Sequence, residues 1–232
     1  MTYLEIGVSH LDRALELYSG LLGFPATEST VDTDGRRIAV LGNGPTLRLV
    51  EVGASGSPTG WDPDDCQHGI RHFGMKVADI DAWTHRLKSA GLTFALDPVD
   101  AFGEVRIAFF FDPDGTYLEL IQGYVQHNNL FSPTLAQAEI DADRDWDGSP
   151  RFDHIALTVP DLDAALAFYQ PHGFAPIGQL VQPAEPRGFL ITNLRAGPVT
   201  LELFTFTAPT FPGPATAPNA LGLRAISFKR PE

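Results

Sequence analysis

The chain has 232 residues, of which 16 are lysine or arginine and 29 are aspartate or glutamate, so its formal charge is −13. This acidity disfavours nucleic acid and anionic membrane surfaces as partners. No apolar run approaches a membrane span, and the N-terminal stretch lacks the basic-then-apolar layout of a signal peptide. The single cysteine, Cys66, excludes an internal disulfide bond and favours a cytoplasmic protein.

Three segments of the chain repeat one order of elements. Each begins with a short apolar strand and continues with an amphipathic helix that a glycine ends. Three strands rich in β-formers follow, and the last two are joined by a glycine-containing turn. The repeating unit is therefore β-α-β-β-β. The predicted helices span Leu11–Leu22, Ile80–Ala90 and Leu162–Gln170.

The closing hairpin of the second unit carries an isolated carboxylate. Its sequence, "FFFDPDGTYLELIQG", predicts two apolar strands joined by a tight turn at Asp-Pro-Asp-Gly. Side chains alternate between the faces of a strand, so Glu119 shares one face with Tyr117 and Ile121. A lone glutamate there is either a solvated residue or a group directed at a ligand.

Alignment of the three units resolves this choice in favour of a paired group. It brings two sets of residues to equivalent positions: Tyr3, His72 and His154 on the first strand, and Arg48, Glu119 and Glu202 on the last. The second unit separates its histidine and glutamate by 47 residues and the third by 48, whereas the first unit has neither residue. Solvated surface positions would not vary in this paired way, so we predict that Glu119 has His72 as its partner.

The remaining segments suggest domain limits. The acidic stretch "AEIDADRDWDGSP" predicts a solvated linker over residues 124–150, between a region 1–123 and a third module at 151–232. Near the C-terminus, "GLRAISFKR" matches "GIRHFGMKV" of the second unit, with Ala225 at the place of His72. We interpret this fragment as the opening strand of a truncated fourth module.

These motifs resemble a known family. The stretches "HFGMKVADIDA" and "HIALTVPDLDA", together with the closing "DPDGTYLEL", are similar to those of the vicinal oxygen chelate superfamily. That superfamily includes glyoxalase I, extradiol dioxygenases, methylmalonyl-CoA epimerase and bleomycin-resistance proteins. The resemblance implies an α+β fold in which tandem βαβββ modules form a cup-shaped mixed sheet.

The resemblance also implies a chemistry. A divalent metal (zinc, iron, manganese or nickel) would bind at the base of the cup and chelate two neighbouring oxygens of a small substrate. The residues at the family's ligand positions are His72, Glu119, His154 and Glu202. Glu119 and Glu202 are in addition the candidate catalytic bases. Tyr3 and Arg48 occupy the equivalent positions in the first unit and are expected to bind substrate. Glu5 is expected to do so as well, because it faces the same way as Tyr3.

Two questions remain open at the level of sequence. The first unit is expected to pair with the second, which leaves the third to pair with its copy in a homodimer or with the C-terminal fragment; pairing of the second with the third is the alternative. The leading function is a metal-dependent lyase, isomerase or ring-cleaving dioxygenase. The alternatives are a non-catalytic binder of a drug-like or cationic aromatic ligand, without metal, and a decayed duplicate kept as an interaction partner.

Overall fold

A computed structural model describes residues 3–42, 45–57, 59–182 and 184–228. Within these residues the strands are β1 (Tyr3–Val8), β2 (Ala26–Val31), β3 (Arg37–Leu41), β4 (Thr46–Glu51), β5 (Gly69–Lys76), β6 (Phe94–Ala101), β7 (Val105–Phe111), β8 (Tyr117–Gln122), β9 (Asn129–Leu130), β10 (Arg151–Thr158), β11 (Ala175–Val181), β12 (Leu190–Ala196), β13 (Val199–Thr205) and β14 (Gly222–Ser227). The α-helices are α1 (Leu11–Leu15), α2 (Ile80–Ser89), α3 (Pro133–Ala142) and α4 (Leu162–Tyr169).

The three predicted β-α-β-β-β units are confirmed. Helix α1 continues as a π-helical segment (Glu16–Leu21), and α4 continues as a 3-10 turn (Gln170–His172), so both reach close to their predicted ends. Helices α2 and α4 begin at aspartates whose side chains accept hydrogen bonds from backbone N–H groups of the first turn. The segment predicted as a linker, 124–150, contains α3 and β9.

The strands form two sheets. One has nine strands in the order β6-β7-β8-β5-β10-β13-β12-β11-β9, and its two halves meet where β5 and β10 run antiparallel. The other has five strands in the order β14-β1-β4-β3-β2, with β14 antiparallel to β1. The second and third units therefore share the larger sheet, while the first unit pairs with the C-terminal fragment.

This order corrects the expected pairing of the first unit with the second. Across β5 and β10, His154 lies opposite Gly74 and His72 lies opposite Ala156, so each imidazole faces a small residue. In β1 the position of Gly74 and Ala156, two residues after the histidine position, is occupied by Glu5. Its side chain would fill the space that a facing histidine needs, and Glu5 lies opposite Ala225 instead. The acidic segment between the second and third units is long enough for them to lie side by side.

The third unit consequently has a partner within its own chain, and the C-terminal fragment closes the edge of the first unit. The argument for a homodimer from an open third unit no longer applies, and a homodimer stays a prediction. The last residues of the predicted fragment, Lys229 and Arg230, lie outside the described residues.

One apolar core joins the two sheets. The ring of Phe73 on β5 lies 6.1 Å from that of Phe24 in the first unit and 4.9 Å from that of Phe152 in the third. Burial of a phenylalanine side chain contributes about 1.5–3 kcal/mol, so this chain of rings fixes the three units together. Because strand residues alternate between faces, His72 points away from this core, to the other face of the nine-stranded sheet. In the described part of the chain, no helix has the length and hydropathy needed to cross a membrane.

Candidate metal centre

Two histidines and a glutamate meet at the centre of the nine-stranded sheet. His72 and His154 lie on the adjacent strands β5 and β10, and Glu119 lies on β8, the other neighbour of β5. Gly74 is the register partner of Glu119, so His72, two residues earlier, shares its face. Glu202 on β13 has the same relation to His154 through Ala156. The two halves of the site are thus equivalent in register.

The ligand atoms are close together and shielded from solvent. The Oε2 atom of Glu119 lies 2.7 Å from Nε2 of His72 and 3.0 Å from Nε2 of His154, and the two Nε2 atoms are 3.2 Å apart. Oε2 of Glu202 lies 3.6 Å from Nε2 of His154. All four side chains are buried. The predicted pairing of His72 with Glu119 is confirmed, and Glu119 contacts the histidine of the other unit as well.

The tautomer of His154 follows from Asp153. Oδ2 of Asp153 is 2.9 Å from Nδ1 of His154 and accepts a hydrogen bond from Nδ1–H, which directs Nε2 of the ring toward the carboxylates. A proton on Nε2 can bridge the ring and the carboxylates, and a bound metal ion would take the place of that proton. Nitrogen and oxygen ligands about 2.1 Å from one ion are themselves roughly 3.0–3.4 Å apart. Two of the three distances here, 3.0 and 3.2 Å, lie in this range, and the third, 2.7 Å between Glu119 and His72, is shorter. The donor set of His72, Glu119 and His154 therefore fits a divalent metal.

Asp153 reaches His154 because β10 carries a bulge. Phe152 and His154 are register partners of consecutive residues of β5, so Asp153 is an extra residue in the ladder, which redirects its side chain. Lys76, itself buried, lies 3.4 Å from Oδ1 of Asp153 and also binds Glu139 of α3. Sequence analysis missed Asp153; the signal was an aspartate directly before His154.

The two glutamates of the site, Glu119 and Glu202, have pKa values that are shifted in opposite directions. Burial acts to raise the pKa of Glu119, but the imidazoles of His72 and His154 outweigh it and bring the pKa to about 2. The pKa of Glu202 is raised, chiefly by burial. Burial acts to lower the pKa of His154, yet the carboxylates of Glu202 and Glu119 raise it well above its ordinary value. Glu119 is thus a permanent anion, whereas Glu202 can hold a proton.

Gly74 makes the close approach of His154 possible. A methyl group built at Gly74 would lie 2.1 Å from Cε1 and 2.4 Å from Nε2 of the His154 ring. Those distances are far inside van der Waals contact, so any larger residue would displace the imidazole. Sequence analysis missed this glycine, although it lies two residues after His72.

A cavity of about 270 Å³ opens above the site. Its base includes His72, Glu119 and Glu202. Its aromatic walls are Phe102, Phe109, Tyr117, Phe189 and Phe204. The rings of Phe109 and Tyr117 stack at 4.8 Å, and that of Phe204 lies edge-on to Phe189 at 4.9 Å.

The predicted substrate residues Tyr3, Glu5 and Arg48 lie elsewhere, on the five-stranded sheet. Arg48 forms an ion pair with Glu5, and its guanidinium lies 5.4 Å from the centre of the Tyr3 ring. Nε of Arg224 lies 3.3 Å from the same Glu5 carboxylate. The expected convergence of Tyr3 and Arg48 with His72 is therefore wrong, because the first and second units do not share a sheet.

Comparison with known proteins gives a consistent result. The model of the Glyoxalase/Bleomycin resistance protein/Dioxygenase superfamily matches residues 1–120. A probable lactoylglutathione lyase of Vibrio cholerae is 31% identical over 134 residues, which cover 56% of this chain and 93% of that protein. The uncharacterized protein YurT of Bacillus subtilis is 31% identical over 121 residues, or 51% of this chain and 94% of its own.

A solved structure shares the fold. The crystal structure of glyoxalase I from Zea mays superposes with a TM-score of 0.65 at 22% identity, covering 89% of this chain and 67% of that one. At this identity the likeness establishes the fold alone.

Proposed function

Because the chain belongs to the glyoxalase/bleomycin resistance protein/dioxygenase superfamily, we propose that it is a divalent-metal enzyme that transfers a proton on a small substrate with two neighbouring oxygens. The observation that carries this proposal is the convergence of the ligand atoms of His72, Glu119 and His154 within 4.8 Å of one another, in buried positions. Two of the three, His72 and Glu119, line a cavity. When bound, the metal would polarise a substrate oxygen and stabilise the negative charge that develops on it.

The two glutamates have different roles in this proposal. Glu119 stays ionised between two imidazoles and serves as a ligand. Glu202 lies at the edge of the set, where its Oε1 accepts a hydrogen bond of 3.2 Å from Nδ2 of Asn193. Its raised pKa and its position in the cavity wall suit a group that takes a proton from a substrate carbon and returns it. Two carboxylates with opposite pKa shifts are a frequent sign of separated acid–base roles.

Proton transfer of the lyase or isomerase type is favoured over ring cleavage. Non-haem iron oxygenases need two histidines and one carboxylate with open positions, and Glu202 is an additional carboxylate. The name of the Vibrio cholerae relative points in the same direction. The alternative of a non-catalytic binder rested on the degenerate first unit, the acidic charge and the many phenylalanine and tryptophan residues. The first of these supports carries less weight, because the first unit contributes neither histidine nor glutamate to this site.

We propose a cytoplasmic location, which the single, buried and free cysteine supports.

The proposal is tested with zinc-loaded protein and 2-hydroxyacetophenone in D₂O, where proton NMR follows loss of the hydrogens next to the carbonyl. We expect exchange above the rate with free zinc. The Glu202→Gln variant should lose at least about 100-fold of this rate, the upper range for a general base, while zinc affinity measured by calorimetry stays within about tenfold. Absence of exchange in zinc-loaded wild type, or full exchange in the variant, would contradict the proposal.

A further inference from the structure

We propose that the cavity above the metal centre selects a substrate whose body is a neutral aromatic ring, and that it rejects substrates with an additional carboxylate or phosphate. This inference rests on the proposed function and adds the substrate class. Its first basis is the wall: the ring of Phe109 is stacked on Tyr117, and that of Phe204 packs edge-on against Phe189. Planar apolar groups make favourable offset or edge contacts with such rings.

The size of the cavity limits the substrate. At about 270 Å³ it is less than twice the volume of the roughly 150 Å³ apolar cavity that accommodates benzene in an engineered protein. One ring with a short chelating group fits this space. A tripeptide conjugate such as a glutathione adduct, which also carries two carboxylates, would have to extend beyond this space.

The charge of the lining points the same way. Among the described residues, those that line the cavity include no lysine or arginine, whereas Asp65, Glu119 and Glu202 are all present. Gln182 is the neutral polar residue of the wall. A divalent ion would balance the two glutamates, and Asp65 is matched by Arg71, whose Nε lies 4.0 Å from Oδ1 of Asp65. The described lining residues therefore offer an anionic substituent no cation to pair with. Burial of an unpaired carboxylate in such a site is unfavourable.

Two arginines, Arg71 and Arg187, lie near the aromatic residues of the cavity wall but do not line the cavity. Arg71 stacks on Trp61, which in turn packs 4.9 Å from Tyr117, and its guanidinium donates to the carbonyl oxygen of Asp62. Its Nε also lies 4.0 Å from Oδ1 of Asp65, so this guanidinium is already engaged by groups of the protein.

The second arginine is arranged in the same way. Arg187 stacks on Phe206, which packs 5.0 Å from Phe189, and it pairs with Glu185 at 3.0 Å. Both cations are thus engaged by aromatic rings and carboxylates of the protein, and neither is among the residues that line the cavity.

The test uses a matched pair of chelators and calorimetry on zinc-loaded protein. Benzohydroxamic acid binds metal through two neighbouring oxygens and has a neutral ring, and 4-carboxybenzohydroxamic acid adds one carboxylate to the same scaffold. We expect the carboxylated probe to bind at least about tenfold more weakly, as for an unpaired carboxylate placed in an apolar wall. Equal or tighter binding of the carboxylated probe would overturn the inference.

A variant that is expected to gain affinity separates the charge effect from loss of folding, because an unfolded protein would not bind more tightly. Gln182→Lys adds a cation to the wall and should strengthen binding of the carboxylated probe by about threefold to tenfold, with little change for benzohydroxamic acid. Gln182→Met, of similar length and neutral, is the control and should not rescue it. If both variants behave alike, the charge argument is wrong. A protein that binds no zinc would overturn the proposed function and this inference with it, whereas loss of discrimination between the probes overturns the substrate class alone.

Discussion

The two sheets of this protein are built from the same unit, yet they treat the same positions in opposite ways. In the nine-stranded sheet, the first and last strands of each unit present a histidine and a glutamate, and a small residue faces each histidine across the central strands. In the five-stranded sheet those positions hold Tyr3 and Arg48, and Glu5 occupies the place of the small residue. In the proposed metal centre a bound cation would balance the carboxylates, whereas in the five-stranded sheet the side chain of Arg48 balances Glu5.

The bulges extend the comparison. On β5, β10 and β14, an extra residue without a register partner directly precedes the histidine position. These residues are Arg71 before His72, Asp153 before His154 and Arg224 before Ala225. The aspartate contacts the neighbouring imidazole, and the arginines contact backbone carbonyls or Glu5. The same backbone irregularity therefore directs Asp153 toward His154 in one sheet and Arg224 toward Glu5 in the other.

The largest difference between the sheets is expected when equivalent residues are removed. His72→Ala should reduce zinc affinity by at least about 100-fold, because loss of a ligand exceeds the 10–100-fold cost of losing a supporting group. Tyr3→Ala, the matched change in the five-stranded sheet, should leave zinc affinity unchanged. Calorimetric titration of both variants decides this, and equal losses would show that the sheets contribute to one site.

The next prediction concerns the space opposite the histidine. Gly74→Ala should lower the free energy of unfolding by about 1–3 kcal/mol, as for an overpacked core, and weaken zinc binding because the His154 ring must move. Gly20→Ala, where the nearest atom to an added methyl group is 3.8 Å away, is the control. Denaturant unfolding with and without zinc measures both effects. An unaltered zinc affinity in Gly74→Ala would refute the packing argument.

Asp153 offers a smaller effect confined to one half of the site. Asp153→Asn should lower zinc affinity by about 10–100-fold, since the amide is a weaker acceptor for Nδ1–H of His154. Asp112→Asn removes an equally buried carboxylate, which accepts a hydrogen bond from Tyr18 in another part of the chain. That control should reduce stability but not zinc affinity. If both variants bind zinc alike, Asp153 has no positioning role.

The smallest effect is expected in the five-stranded sheet. Arg48→Met should cost about 1 kcal/mol of unfolding free energy, the upper range for a partly exposed ion pair, because Arg224 still neutralises Glu5. Zinc affinity and the exchange rate should not change. Any loss of zinc by this variant would mean that Arg48 supports the metal centre.

The sequence predicted much of this molecule. The repeat revealed three units, and the aspartates Asp79 and Asp161 marked where two helices begin. The pairing of His72 with Glu119 followed from their matched spacing in the repeat. These features depend on local propensities and on alternation along a strand, which operate within a few residues and are therefore visible in the sequence.

Tertiary structure decided which units share a sheet, and with it the site. Any of the first strands offers the same backbone hydrogen-bonding edge, so the choice depends on what faces the imidazole across the pair: Gly74 admits His154, and Glu5 would exclude it. Asp153 faces the site through a bulge, which breaks the alternation that sequence analysis relies on. The cavity walls come from strands far apart in the chain, and their contacts exist only once β5 and β10 have paired.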